Sequence, residues 1–355
     1  MGASEISNKK DIRELSLDQL TEFFLSIQEK KFRAKQVYEW IWKHSVQDFE
    51  SMSNLSKSTR DILSQTFSFK RMEIAQEQVS SDGTIKFGFR LSDGNLIEGV
   101  LIPADDRMTA CISSQVGCSL TCKFCATGYM DRKRNLEPYE IYDQVVIIKD
   151  AAERHYQKPL SNIVLMGMGE PLLNYSNVLK GIERVTSETG LHMASKRITL
   201  STAGIAKMIQ KLGDDEVKFR LALSLHAAND IKRNQIMPIN ETNNLPVLKE
   251  ALLHFYTKTK NPITFEYIVF HNFNDGESDA MELYRFAKDI PCKINIIEYN
   301  PIQEADYTNT TEDKLDRFKR ILEQKNIIVN IRRSRGKDID AACGQLAIKE
   351  KNAAS

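Results

Sequence analysis

From residue 104 to residue 333 the chain keeps one rhythm, and that rhythm narrows the folds open to it. Short runs of β-branched and aliphatic residues alternate with longer amphipathic stretches. The runs are TACISS, NIVLMGM, RITLST, FRLALSL, ITFEYIVF and KINIIEY, and the stretches include EPYEIYDQVVIIKDAAERH and NVLKGIERVTSE. Six strand-then-helix units in series predict a parallel sheet, because parallel neighbours need crossover connections. A closed eight-stranded barrel needs two more units. The pattern therefore predicts an α/β fold built as a partial, open (β/α)6 barrel. A last run, IIVNIRR, would extend one edge. Polar and glycine-bearing residues fall at the strand ends: SSQVGC after the first, GMGE after the second, STAG after the third, SLHA after the fourth and YNP after the sixth. In parallel α/β folds the carboxyl ends of strands carry the chemistry.

The segment before residue 104 reads differently. LDQLTEFFLSIQ and RAKQVYEWIWKH carry apolar residues at helical spacing, with Asp18 and Asn54 near plausible helix starts. Residues 1–80 are expected to form a small helical accessory domain in which Trp40 and Trp42 pack rather than bind. TIKFGFRL and NLIEGVLIP alternate apolar and polar residues around Ser92-Asp93-Gly94 and predict a β-hairpin. That hairpin is expected as a linker over residues 81–103, followed by the barrel at 104–346 and a flexible tail at 347–355.

Of 355 residues, 41% are hydrophobic and 27% charged, the balance of a soluble globular chain with an ample core. No run approaches the ~18 apolar residues of a membrane span. MGASEISNKK lacks the apolar stretch of a signal peptide. A cytoplasmic protein is expected, with monomer as the default. In that reducing compartment clustered cysteines point to metal binding or redox chemistry rather than structural disulfides. The net charge of +1 gives no global field for nucleic acid. KKFRAK, RKR and RRSRGK are basic islands, each most simply a solvated face.

Four of the six cysteines lie in CISSQVGCSLTCKFCATG, residues 111–128. Cys118, Cys122 and Cys125 form C-x3-C-x2-C, a spacing that lets one loop wrap round zinc or an iron–sulfur cluster. A structural zinc site wants four ligands, but Cys111 stands seven residues upstream inside a predicted strand, with no His nearby. Three thiolates on a four-iron cube leave one iron open to a substrate's amine and carboxylate. A zinc-stabilised RNA-binding module without catalysis is the competing reading.

The cysteine spacing, the following Gly128 and the place after a first barrel strand resemble the radical S-adenosylmethionine (SAM) superfamily. TACISSQVGC, KFCATG, GMGEP, SLHA, YNP and DIDAACGQL, in that order, resemble the RlmN/Cfr family of RNA methyltransferases over essentially the whole chain. Val116 and Pro171 resemble the branch that methylates C2 of adenine; C8 methylation, the Cfr type, is the alternative. The resemblance implies one [4Fe-4S] cluster held by Cys118, Cys122 and Cys125, and two SAM molecules per turnover. It implies SAM contacts at Gly169, Glu170, Ser201, Ser224, Leu225, His226 and Asn300. Cys343 would carry the methyl group as S-methylcysteine, and Cys111 would resolve the product through a transient disulfide with Cys343. Glu98 would accept the C2 proton, with Cys111 a rival for that role. The substrates implied are an adenosine in the peptidyl-transferase region of 23S rRNA and the anticodon-adjacent adenosine of some tRNAs. A low-potential donor such as flavodoxin or ferredoxin would supply electrons.

Without the resemblance, these residues have plainer readings. Cys343 and Cys292 are buried free cysteines, Glu98 is a carboxylate on a half-exposed strand, and His226 is a structural histidine. Arg332, Arg333 and Arg335, just before Cys343, are candidates to grip RNA phosphates.

Overall fold

The computed structural model describes residues 9–347, so the expected tail beyond Ala347 lies outside the described residues. Ten strands join in one sheet whose spatial order follows the chain. They are β1 (Glu73–Val79), β2 (Ile85–Arg90), β3 (Leu96–Ala104), β4 (Arg107–Cys111), β5 (Asn162–Leu165), β6 (Ile198–Thr202), β7 (Arg220–Ser224), β8 (Ile263–Ile268), β9 (Cys292–Ile297) and β10 (Ile328–Arg332). Strands β1 to β4 form an antiparallel meander. From β4 to β10 every neighbour is parallel, as the strand–helix rhythm requires. The barrel is open, with β1 and β10 as its edges.

Helices α4 (Pro138–Tyr156), α5 (Tyr175–Thr186), α6 (Ala206–Asp214), α7 (Asp230–Ile236), α8 (Leu245–Thr259), α9 (Glu277–Ala287) and α10 (Glu312–Glu323) make the crossovers. α4 starts where Pro138 supplies a preset φ and Glu140 closes a capping box with Glu137. It ends at Gln157 in the left-handed conformation. Strand β8, ITFEYI, is buried at all six positions, as a central strand covered on both faces must be. Its Glu266 is therefore a charge placed deliberately inside.

The hairpin expected over residues 81–103 joins the main sheet. Strands β2 and β3 pair over six positions, and β3 continues onto β4 with Val100 opposite Cys111. Burial of Phe87 and Phe89, stacked on one another, drives this extension of the sheet. Strand β1, EIAQEQV, is exposed at all but one position. Backbone pairing holds it, so no alternation in the sequence betrays it.

The N-terminal helices are α1 (Leu17–Ser26), α2 (Phe32–Trp42) and α3 (Lys57–Thr66). Their caps are Ser16, which closes a capping box with Gln19, and Ser56, rather than Asp18 and Asn54. Asn54 instead accepts from the Trp40 indole at 2.6 Å. Trp42 is fully buried and meets Tyr142 of α4 edge-on at 5.1 Å. Arg13 locks the same junction: it donates to Asp11 at 2.8 Å and to Asp143 of α4 at 2.7 Å, over the Tyr139 ring. Among the described residues no helix is long and apolar enough to cross a membrane.

Candidate active site

Past β4 the chain leaves the sheet and crosses its carboxyl-end face. Cys118, Cys122 and Cys125 line one cleft of about 870 Å³ including its open mouth, together with residues from the ends of β5, β6, β7, β8 and β9. The loop is tied at both ends: the Lys123 amide donates to Ile236 of α7 at 2.9 Å, and the Ala126 amide donates to Gly344 at 2.7 Å. Burial pushes the thiols up, Cys118 to about 11, while Cys122 and Cys125 are also raised by burial before any mutual repulsion. Such thiols ionise only when a metal compensates the charge. Among the described residues no three His, Cys, Asp or Glu side chains gather closely enough to share one ion. A structural zinc site wants four ligands, and this loop offers three thiols. Three thiols on one loop, lining a cleft, are the donor set of a four-iron cube in which each thiolate would take its own iron and leave one open.

The polar wall is built from strand ends. Gly169 has φ +93, and a Cβ there would stand 2.5 Å from Gln115 Cβ, so only glycine fits. Glu170 is buried; its Oε1 accepts from the Leu172 amide at 2.9 Å and Oε2 from the Ala203 amide at 2.7 Å. Burial raises its pKa against those two bonds. The Ser201 and Ser224 hydroxyls, on neighbouring β6 and β7, stand 3.3 Å apart. His226 has φ +56, its Nδ1 accepts from the Ile268 amide at 3.1 Å, and Phe124 meets its ring edge-on. Burial, then the Arg233 charge, pulls its pKa to about 3. The imidazole is therefore neutral, with its hydrogen on Nε2. Leu225 and Asn300 do not line this cleft. Leu225 is a core side chain, and Asn300 donates Nδ2 to the Cys343 carbonyl at 3.1 Å.

The chain's last described segment folds back across the barrel mouth. The Gly336 amide donates to Asp82 at 2.9 Å, Lys86 Nζ donates to the Asp340 carbonyl at 3.3 Å, and Thr127 donates to the Leu346 carbonyl at 2.6 Å. Gly344, at φ +84, passes against the Phe124 carbonyl. This course sets Cys343 on a partition. It lines the cysteine cleft on one side, and on the other a second cavity of about 1280 Å³, likewise including its open mouth, shared with Cys111, Arg107, Arg332 and Arg333. Both cysteines are free thiols. Burial and the neighbouring Cys343 charge push Cys111 up to about 12.

Glu98 is buried, not half-exposed, and borders neither cavity. The register places Lys86, Glu98, Val100 and Cys111 on one sheet face, under the returning segment. Lys86 Nζ lies 3.1 Å from Glu98 Oε1, and Oε2 has no hydrogen-bond partner among the described residues. Burial raises the Glu98 pKa despite Lys86. The arginines before Cys343 are already engaged: Arg332 with Glu266 at 3.3 Å, Arg333 with Glu298 at 2.6 Å and Glu312 at 2.9 Å, and Arg335 with the Asp82 carbonyl. Their expected freedom to grip phosphates is reduced accordingly. Glu266 and Lys86 escaped the sequence reading. An acidic residue at the end of a strand buried throughout was the signal for the first; a pair remote in sequence left none for the second.

Comparison with known proteins agrees with this geometry. Residues 10–68 match the family model for the ribosomal RNA large subunit methyltransferase N-terminal domain, and residues 112–286 match the radical SAM superfamily. The chain is 76% identical over 342 residues to the probable dual-specificity RNA methyltransferase RlmN of Cytophaga hutchinsonii, covering 96% of this chain and 94% of that protein. It belongs to the RlmN family of radical SAM RNA methyltransferases. The RlmN-named protein of Flavobacterium psychrophilum is 53% identical, over 96% of this chain and 99% of its own length. A crystal structure of a radical SAM methyltransferase from Sphaerobacter thermophilus superposes with a TM-score of 0.89 at 36% identity, covering 95% of this chain and 99% of that one. RlmN-family membership within the radical SAM superfamily implies a [4Fe-4S] cluster and SAM.

Proposed function

We propose that this chain is a cytoplasmic enzyme that methylates C2 of adenine in the peptidyl-transferase region of 23S rRNA and beside the anticodon in some tRNAs. The observation that carries the reading is Cys343, standing between the cysteine cleft and the cavity it shares with Cys111. The name shared by the relatives, dual-specificity RNA methyltransferase, supports two classes of RNA substrate.

With its cluster and SAM bound, the cleft supplies a carbon radical able to remove hydrogen from an S-methyl group. The protein's own residues do the rest. Cys118, Cys122 and Cys125 hold the cluster. Gly169, Glu170, Ser201, Ser224 and His226 hold SAM, and Leu225 and Asn300 shape the cleft from behind. Cys343, as thiolate, takes a methyl group from a first SAM by displacement at carbon. The S-methyl carbon, less one hydrogen, would then join C2 of an adenine held in the arginine-lined cavity as a methylene bridge, the adduct giving up one electron. Glu98 takes the C2 proton; Lys86 beside it favours the ionised carboxylate that the role needs. Cys111 attacks the Cys343 sulfur; the S–C bond breaks with its electron pair on carbon, which takes a proton to become the methyl group, leaving a disulfide that cytosolic thiols reduce. Residues 1–80 act as an RNA-gripping accessory domain. A low-potential carrier such as flavodoxin or ferredoxin supplies electrons, and the working unit is a monomer.

The test is product identity. Anaerobically reconstituted protein, SAM and a reductant are incubated with a 23S rRNA fragment or with tRNA, and the digested nucleosides are compared with C2- and C8-methyl standards. Co-elution with the C2 standard from both RNAs is expected. A C8 product would overturn the assigned position, and an unmodified tRNA would remove that substrate.

A further inference from the structure

We infer that Arg233 is a buried counter-charge for the iron–sulfur centre and sets how readily that centre accepts its electron. The inference rests on reading Cys118, Cys122 and Cys125 as the cluster's ligands.

Arg233, on α7, is fully buried. A cation persists there only if something offsets its lost hydration. Its guanidinium donates to the Leu225 carbonyl at 3.1 Å, Asn240 Oδ1 at 2.7 Å, the Ala203 carbonyl at 2.6 Å and the Ser224 carbonyl at 3.3 Å. All four acceptors are uncharged. Asp230, to which the Asn240 amide donates at 2.8 Å, adds a carboxylate nearby without bonding to the guanidinium. The four bonds engage Nε and both terminal nitrogens and brace the ends of β6 and β7. They do not cancel the charge. Burial lowers the Arg233 pKa to about 10, so the group remains cationic at neutral pH.

Further compensating charge comes from the cysteine loop, which is tied to the same helix. The Lys123 amide bonds to Ile236, one turn past Arg233, and this seats Cys122 against the same helix. Ala203 and Ser224, whose carbonyls the guanidinium grips, line the same cleft as Cys122. Three thiolates on a four-iron core carry net negative charge, and reduction adds one more. A fixed cation beside them, in a medium that screens poorly, stabilises the reduced state and raises the reduction potential. Arg132 also faces Cys118, but it is exposed, where water and salt screen it. Glu170 opposes Arg233 from within the cleft, with its own charge already spread over two backbone amides.

The test compares wild type with Arg233→Met, Arg233→Lys and Asn240→Asp, each the full chain reconstituted anaerobically. The readouts are iron and sulfide content and an EPR-monitored redox titration. In Arg233→Met the reduced-to-oxidised ratio at fixed ambient potential should fall about tenfold, a shift of about 59 mV for one electron. Arg233→Lys keeps the charge and should stay near wild type. Asn240→Asp leaves the guanidinium in place and sets a carboxylate between it and Asp230; with the iron content full and measured at a pH above the carboxylate pair's titration, it should shift in the same direction as Arg233→Met. If Arg233→Met fails to fold, Asn240→Asp decides. Full iron content with a wild-type potential in Asn240→Asp would overturn the counter-charge and leave Arg233 as scaffold only. Wild-type protein that binds no iron would overturn instead the ligand assignment beneath it.

Discussion

Lys86 and Glu98 form a buried pair whose second carboxylate oxygen has no hydrogen-bond partner among the described residues. Removing one partner of such a pair leaves the other charge stranded. Lys86→Met should therefore lower stability by about 3 kcal/mol at neutral pH. Burial already raises the Glu98 pKa, and losing Lys86 raises it further. A raised carboxylate stays protonated longer in the folded state than in the unfolded one. The deficit should thus be small below the ordinary carboxylate range and grow as pH rises through it. Denaturation at several pH values checks this. The double variant Lys86→Met, Glu98→Gln should recover most of the loss, and a pH-independent deficit would contradict the pairing. The sequence places Glu98 on its strand but not its burial, because the segment that covers it lies more than two hundred residues downstream.

At the scale of elements, the returning segment decides where Cys343 stands. Asp82 accepts from the Gly336 amide, and Asp338 accepts from Ser80 and from the Ser81 amide. Both clamps sit on the turn between β1 and β2, which the sequence reading took for the edge of a linker. Asp82→Ala should loosen residues 336–346 without touching the cysteine loop. Hydrogen exchange in that segment should speed up by about tenfold, the equivalent of about 1.4 kcal/mol, while iron content holds. Unchanged exchange would show that the segment's other bonds, among them Asp338 to Ser80 and the Asp340 carbonyl to Lys86, hold it without Asp82. The parallel strands were legible because each is a buried aliphatic run bounded by polar ends. Strand β1 was not, since an exposed edge strand needs no apolar alternation.

For the whole molecule, the N-terminal helices and the barrel meet across Arg13. Its ion pairs with Asp11 and Asp143 are nearly sealed from solvent, and Arg13→Met would leave two carboxylates buried together. A loss of about 3–5 kcal/mol is expected in denaturant melts of the full chain, with wild-type stability the contrary result. Sequence rhythm revealed two regions but not this junction, because Asp143 reads simply as one polar residue in an amphipathic helix. The motifs likewise named Cys111 and Cys343, while only the folded chain puts them on one cavity. That meeting is the centre of the account, and peptide mass spectrometry of the purified protein tests it most directly. The peptide containing Cys343 should carry one added methyl group, absent from Cys343→Ala, which should also leave RNA unmethylated. An unmodified Cys343 in protein that still methylates RNA would contradict the account.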